Sequence, residues 1–143
     1  KLRAGIPCLA IRTTFIAGFP GETDAQFETL LEFIRDAKFD RMGVFTYSQE
    51  SGSRAAKMPD QISATVKKAR YRKAMAAQQQ VAKERAAAQV GKTLRVLVDT
   101  PDTARTEADA PEVDGKVLLS RPLTPGTFAD VTITGHKIYD LLA

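Results

Sequence analysis

The sequence predicts an α/β protein in two parts: a βαβ unit, then a long helix and a small antiparallel β-barrel. Three observations carry this prediction. Two apolar runs flank a stretch with helical periodicity in the first third, and a segment rich in Ala, Lys, Arg and Gln follows it. After Gly91, short alternating runs are separated by turn signals. The predicted boundaries are residues 1–62 for the α/β part, 63–82 for a connecting basic helix and 83–143 for the β domain.

The first apolar run, residues 9–17, is rich in apolar and β-branched residues and is predicted to be a strand covered on both faces. Residues 18–22 form the turn that follows it. Thr23 is the predicted N-cap of a helix, and Gln26 completes a capping box three residues later. The spacing i, i+3, i+4, i+7 then places one set of apolar residues on a single helical face: Phe27, Leu30, Leu31 and Ile34.

Residues 42–47 are predicted to form the second strand, parallel to the first, with a right-handed crossover. A polar loop over residues 49–61 leads to the long helix, which Ser63 caps and which stops at Gly91. One face of this helix is predicted to carry Tyr71, Met75, Gln78 and Ala82. Its run "KKARYRK" holds five basic residues. Such a run is typical either of a solvated face or of a nucleic-acid contact.

The β domain is predicted from the runs "KTLRVLVDT", "GKVLLS" and "FADVTITG". Turn signals separate them, at Pro101-Asp102, Asp114-Gly115, Pro125-Gly126 and Gly135. This spacing is typical of a small antiparallel barrel or sandwich.

Composition limits the possible functions. The chain has 143 residues, of which 43% are hydrophobic and 27% charged, as in globular proteins. A net charge of +4 favours an anionic partner such as nucleic acid, but a moderately basic domain with no such partner fits equally well. The chain starts with Lys1, so we expect a fragment of a longer protein. We expect a cytoplasmic location and no membrane partner, because no apolar stretch reaches the roughly 20 residues that span a bilayer.

Metal and nucleophile chemistry have little support in the sequence. Cys8 is the single cysteine and His136 the single histidine. One cysteine forms neither an internal disulfide nor a cluster site, and one histidine builds neither a triad nor a zinc site. We therefore predict no metal ligands and no catalytic residue in this chain.

The turn "GFPGE" is the strongest candidate site. Gly18 and Gly21 lie at the carboxyl end of the first strand, where ligands of open α/β sheets bind and where glycine lets them approach the backbone. Glu22 and Asp24 already complement the helix dipole there, which disfavours a phosphate. The alternative is a tight structural turn in which Pro20 fixes the backbone.

The order of four motifs resembles a known family. "RTTFIAGFPGET", "DRMGVFTYSQESGSRAAKMPDQI", the Gln-rich helix and "VGKTLRVLVD" follow one another as in the C-terminal part of the radical S-adenosylmethionine methylthiotransferases. The resemblance covers the end of the radical half-barrel and the appended TRAM domain, which is an OB-like barrel. Within the family, "ADAPEVDG" is similar to the subgroup called RimO, which modifies a ribosomal protein, rather than to the tRNA-modifying MiaB subgroup.

The resemblance implies an S-adenosylmethionine pocket near the adenine end. The implied cofactor-binding residues are Ile16, Gly18, Phe19, Pro20, Gly21, Glu22, Phe45 and Tyr47. It also implies [4Fe–4S] clusters, whose cysteine motifs are absent from this chain, so the piece alone should be inactive. The full protein would methylthiolate an aspartate of small-subunit ribosomal protein S-twelve.

The acidic stretch at residues 108–115 indicates the charge of the partner that the chain binds. Asp109, Glu112 and Asp114 would repel a phosphate backbone and suit a basic ribosomal protein. A solvated acidic loop is the plainer alternative. RNA binding through the basic helix and the TRAM domain, in a MiaB-like enzyme or a non-catalytic nucleic-acid-binding module, stays open.

Overall fold

The structure, a computed structural model, describes residues 2–143. The chain divides into two compact units, Lys1–Val81 and Ala82–Ala143. The helices are α1 (Leu2–Gly5), α2 (Asp24–Ala37) and α3 (Ala64–Ala87), with a 3₁₀ turn at Ala55–Lys57. The strands are β1 (Arg12–Ala17), β2 (Arg41–Thr46), β3 (Thr93–Thr100), β4 (Thr103–Thr106), β5 (Val117–Leu118), β6 (Phe128–Thr132), β7 (Gly135–His136) and β8 (Leu141–Leu142).

The first unit is the predicted βαβ arrangement. β1 and β2 pair in parallel from Arg12↔Arg41 to Ala17↔Thr46, which confirms the predicted pairing. β1 begins three residues later than predicted, at Arg12, where its pairing with β2 also begins.

The predicted capping box is confirmed. Thr23 accepts a hydrogen bond from the Gln26 N–H at 3.2 Å, and Gln26 Oε1 accepts one from the Thr23 N–H at 2.9 Å. α2 then buries Phe27, Leu31 and Ile34 against Ala17 and Val44. This local pattern fixes where the helix starts and which of its faces covers the sheet.

α3 begins as predicted, because Ser63 Oγ accepts the Val66 N–H at 3.3 Å. The predicted face is found in part. Gln78 and Ala82 are buried and Met75 packs against the core, but Tyr71 is exposed. The other buried positions of the first unit are Arg70, Ala74 and Val81. The amide N–H of Gln78 donates to the Phe39 carbonyl at 3.0 Å, whereas its Oε1 is buried and has no hydrogen-bond partner within residues 2–143.

The second unit is a curled mixed sheet of six strands in the order β6-β3-β4-β5-β8-β7. Its core is small and aliphatic and contains Val96, Val98, Ala104, Val117 and Ile133. The two outer strands of this order, β6 and β7, are consecutive in the chain. Between them, the Ile133 N–H donates to the Lys92 carbonyl at 2.9 Å and the Thr134 N–H to the Leu142 carbonyl at 2.8 Å. The bent segment that joins β6 to β7 thus forms hydrogen bonds towards both edges of the sheet.

The predicted all-antiparallel arrangement is wrong in one place. β5 and β8 run parallel, with Val117 opposite Leu141. The Lys137 N–H donates to the Asp140 carbonyl at 2.8 Å and closes the turn that returns β8 along β7. The direction of β8 is therefore set by this turn. A strand of two residues is too short to show a pattern in the sequence.

Candidate functional site

The sheet of the first unit has one packed face and one exposed apolar face. Phe15 and Val44 contribute to the packed side, against α2. On the other side, Ile16 lies opposite Phe45 in the parallel register. These two side chains are 57% and 66% exposed. The predicted covering of β1 on both faces is therefore not found within residues 2–143.

At the carboxyl ends of the strands, two aromatic rings meet. Phe19 packs edge-on against Tyr47, with ring centres 5.4 Å apart. Lys67 Nζ lies 4.8 Å from the centre of the Tyr47 ring and donates to the Tyr47 carbonyl at 3.1 Å. The Tyr47 hydroxyl is buried and finds no hydrogen-bond partner within residues 2–143. A buried polar atom of this kind lacks a hydrogen bond that protein interiors normally supply.

The turn between β1 and α2 is held by hydrogen bonds to the Glu22 side chain and to the loop that contains Asp60. Gly18 and Gly21 have φ of 78° and 82°, in the region that glycine adopts without strain. The Gly18 N–H donates to Glu22 Oε2 at 2.6 Å, and the Gly21 N–H donates to the Asp60 carbonyl at 3.0 Å. Pro20 is buried inside the turn, as the tight-turn interpretation requires. The carboxylate of Glu22 is thus turned back onto the chain.

Arg70 reaches this turn from α3. Its guanidinium donates to the Glu22 carbonyl at 2.9 Å, to Glu22 Oε2 at 2.7 Å and to Asp24 Oδ1 at 2.8 Å. It also lies 5.5 Å from the centre of the Phe27 ring. Burial lowers the pKa of Arg70, but the hydrogen bonds and charges of Asp24 and Glu22 outweigh burial and raise it. Arg70 therefore stays charged throughout the ordinary pH range.

Lys67 fills the space in front of Gly18. A β-carbon added to Gly18 would lie 2.4 Å from Lys67 Cγ. The close approach that glycine permits here is therefore made by a side chain of α3. A cofactor contact at Gly18 stays a prediction, but the reason given for it from the sequence, room for a purine ring, does not apply.

The sequence interpretation missed Lys67 and Arg70 as parts of this site. Both belong to the basic run that was predicted to be either solvent-exposed or in contact with nucleic acid. Three of its five cations contact groups of the first unit: Lys67 bonds to the Tyr47 carbonyl, Arg70 pairs with Glu22, and Lys73 lies 3.9 Å from Glu28 in an exposed ion pair. The spacing of Arg70, Ala74 and Gln78 at i, i+4, i+8 was the available signal, but only one of these residues is apolar.

The acidic stretch forms a loop between β4 and β5. Asp109 Oδ2 accepts from the Thr106 hydroxyl at 2.5 Å, and Asp114 Oδ2 accepts from the Ala110 N–H at 2.7 Å. Both side chains are half-buried and hold the loop together. Glu112 is exposed, with a left-handed backbone at φ 63°. Two of the three predicted partner-binding residues therefore have a structural role, whether or not they also contact a partner.

Neither a metal site nor a membrane span is present in the part of the chain that the structure describes. Residues 2–143 contain no group of three or more His, Cys, Asp or Glu side chains placed to hold a metal ion. None of the helices in that range is both long and apolar enough to cross a bilayer.

Comparison with known proteins shows which proteins the chain resembles. Residues 90–143 match a family described as TRAM domain. The whole chain is 59% identical to a protein of Opitutus terrae named "Ribosomal protein uS12 methylthiotransferase RimO", of which it covers 30%. It is 46% identical over its full length to the protein of the same name from Akkermansia muciniphila, covering 32% of that protein. The chain is similar to the matching third of these RimO proteins.

The RimO resemblance predicted from the motifs is thereby confirmed, and so is a TRAM domain at its C-terminal end. A relative from Roseiflexus castenholzii with the same RimO name is 48% identical over 98% of the chain. The chain spans about a third of the length of the curated relatives it matches.

Proposed function

We propose that this chain is the C-terminal part of a radical S-adenosylmethionine methylthiotransferase that methylthiolates an aspartate of ribosomal protein uS12. In that protein, the first unit would form the end of the radical half-barrel and hold the adenine end of S-adenosylmethionine. The TRAM domain would contact the substrate, and the enzyme would act in the cytoplasm. The observation that carries the proposal is similarity along the whole of this chain to about a third of proteins with this name, together with an exposed apolar surface at the strand ends.

The residues at the strand ends fit an adenine ring. Ile16 and Phe45 form a bare apolar pair, and burying such surface against a purine gains roughly 25 cal/mol per Å². Phe19 and Tyr47 supply aromatic faces beside it. Pro20, Gly21 and Glu22 would act by shaping the turn.

A [4Fe–4S] cluster does not fit the described residues. Cys8 is the single cysteine of the chain, and residues 2–143 hold no metal site. In the proposed enzyme the cluster would be held by residues outside this chain. Cluster-bound S-adenosylmethionine would supply the radical that breaks an unactivated C–H bond. The part of these residues is to bind the nucleoside and exclude water from it.

The substrate proposal rests on charge. Glu112 is exposed on a loop that also contains Glu107 and the two anchored aspartates. A loop with this charge attracts a basic ribosomal protein and repels a nucleic-acid backbone. A MiaB-like tRNA substrate is the second candidate, and one observation favours it. The Arg95 guanidinium lies 4.8 Å from the centre of the exposed Phe128 ring, an arrangement on which a base could stack.

The experiment uses the full-length protein that contains this chain, reconstituted with its clusters and given S-adenosylmethionine and a reductant. Ribosomal protein uS12 and total tRNA are offered separately, and the products are read by mass spectrometry. We expect a methylthio group on one aspartate of uS12 and none on tRNA. Modification of tRNA alone would establish the MiaB-like alternative, and modification of neither would favour a non-catalytic binding module.

The cofactor surface is tested by two matched substitutions of exposed phenylalanines. Phe45→Ser should weaken S-adenosylmethionine binding at least tenfold, about 1.4 kcal/mol. Phe128 lies in the other unit and is exposed to a similar extent, so Phe128→Ser should leave that affinity unchanged. Equal affinities of both variants and wild type would remove the strand-end surface from the cofactor site.

A further inference from the structure

We propose that Arg70 is a positioning residue for the cofactor site: it holds the turn at residues 18–22 in the shape that S-adenosylmethionine requires. This inference rests on the proposed function, because it concerns the same site. It assigns the start of α3 to the cofactor-binding unit, whereas the sequence placed residues 63–82 in a connecting helix.

The geometry centres on one oxygen atom. Glu22 Oε2 accepts from the Gly18 N–H at 2.6 Å and from the Arg70 guanidinium at 2.7 Å. Arg70 also bonds to the Glu22 carbonyl, so it contacts both the side chain and the backbone of that residue. The end of β1, the start of α2 and the first half of α3 therefore meet at Glu22.

The two acidic partners of Arg70 differ in how deeply they are buried. The Glu22 side chain is 14% exposed and the Asp24 side chain is 96% exposed. Exposed ion pairs contribute little because water and salt screen them, whereas a charge left without its partner in a buried place is costly. The contact that matters is thus the one between Arg70 and Glu22.

The guanidinium is not arranged to satisfy all its own donors. Its Nε is buried and has no hydrogen-bond partner within residues 2–143. Buried donors are normally paired, and an unpaired one lowers stability. Of the two remaining NH groups, one bonds to Glu22 in the turn and the other to Asp24 at the start of α2.

The consequence for the cofactor runs through Phe19. This residue belongs to the turn and packs edge-on against Tyr47, which the proposed function places at the adenine. If Arg70 no longer holds Glu22, the turn loosens and Phe19 loses its fixed place against Tyr47. Binding of S-adenosylmethionine should then weaken, while the later chemistry on bound cofactor should not change.

The test uses the full-length protein and three variants. Arg70→Met removes the charge, Arg70→Lys keeps the charge but not the forked geometry, and Arg72→Met makes the same change at an exposed position two residues away. Calorimetry measures the S-adenosylmethionine affinity, steady-state assays measure its KM and kcat, and hydrogen exchange measures the protection of residues 13–22.

For Arg70→Met we expect at least a tenfold loss of affinity, about 1.4 kcal/mol, with a raised KM, an unchanged kcat at saturation and faster exchange of residues 13–22. Arg70→Lys should recover part of the affinity, and Arg72→Met should behave as wild type. Wild-type affinity in Arg70→Met would overturn the inference, as would an equal loss in Arg72→Met or a loss confined to kcat.

Two further outcomes have a clear meaning. If Arg70→Met does not fold, Glu22→Gln keeps the shape of the turn and weakens only the charge-assisted bonds. It should still lower affinity, and wild-type affinity there would overturn the inference. If the wild-type protein does not bind S-adenosylmethionine, the proposed function fails. In that case, unchanged exchange of residues 13–22 in Arg70→Met would overturn the positioning role, and faster exchange would support it.

Discussion

Lys67 packs its aliphatic stem directly against the Cα of Gly18. A β-carbon at Gly18 would lie 2.4 Å from Lys67 Cγ and 3.2 Å from Lys67 Cβ. The contacting atoms belong to the beginning of the lysine side chain, near the helix backbone, so they have little freedom to move aside. The absence of a side chain at Gly18 therefore lets α3 lie close to the end of β1, and the lysine head then reaches the Tyr47 carbonyl.

This contact predicts different costs for two glycines of the same turn. Gly18→Ala and Gly21→Ala both place a β-carbon on a left-handed backbone, but nothing lies within 4 Å of the β-carbon at Gly21. Gly21→Ala should lower the free energy of unfolding by about 1 kcal/mol through backbone strain. Gly18→Ala should cost a further 1–3 kcal/mol or so from overpacking. Urea denaturation of the 143-residue chain measures both.

The control for that prediction is a double-mutant cycle with Lys67→Ala, which removes the atom that clashes. The extra cost of Gly18→Ala should shrink in this background, because the two changes share one contact. Additive costs would show that the clash is absorbed elsewhere and that only backbone strain matters at Gly18.

The capping box gives a second prediction, with a matched pair of threonines. Thr23→Ala removes the acceptor for the Gln26 N–H and should lower stability by about 1 kcal/mol. Thr29 lies in the middle of α2, where its hydroxyl donates to the Ala25 carbonyl at 3.0 Å. Thr29→Ala should be neutral or slightly stabilising, since alanine is the better helix former there. Thermal unfolding of both variants makes the comparison, and equal effects would show that the cap does not limit stability.

Local signals in the sequence were enough to place β1, α2 and β2 of the first unit. The capping box, the helical face of α2 and the two apolar strands each depend on residues close together in the chain, and each is found in the structure. Pairings between residues far apart in the chain could not be predicted from the sequence in the same way. The parallel pairing of β5 with β8 involves two residues on each strand, which carry no period. The run "FADVTITG", predicted as one strand, is bent near Ile133 into β6 and β7 because it bonds to two different partners.

The candidate site shows the same division. The exposed pair of Ile16 and Phe45 follows from the alternation of strand residues once the register is known. The inward turn of Arg70 does not follow, because a charged residue in a basic run is normally solvated. Its burial depends on two carboxylates that lie more than 40 residues earlier in the chain. Sequence spacing alone could not bring these groups together.

A third prediction concerns the relative protection of the two units. The first unit pairs only two strands, and one face of that sheet is exposed, whereas the second unit has a six-stranded curled sheet with its own aliphatic core. Hydrogen exchange of the isolated chain should therefore be slower for amides of β3 and β4 than for those of β1 and β2. Equal protection of both sheets would contradict this, and would mean that the exposed face of β1 costs the isolated chain little.

The last prediction separates the charge of the acidic loop from its structure. Glu112→Gln removes one exposed charge, and Asp114→Ala removes the acceptor for the Ala110 N–H that holds the loop. If the loop docks a basic ribosomal protein, Glu112→Gln should slow association with uS12 at low salt, and this difference should fade at high salt. Binding to a tRNA stem–loop should stay the same or tighten, because a repulsive charge is gone. Asp102→Asn removes a charge from the exposed β3–β4 turn of the same unit and serves as the control for net charge.

Asp114→Ala should instead speed hydrogen exchange across residues 107–116 and weaken uS12 binding at both salt concentrations, because the loop loses its shape. If Glu112→Gln lost tRNA binding and kept uS12 binding, the MiaB-like alternative would replace the RimO-like assignment of the substrate.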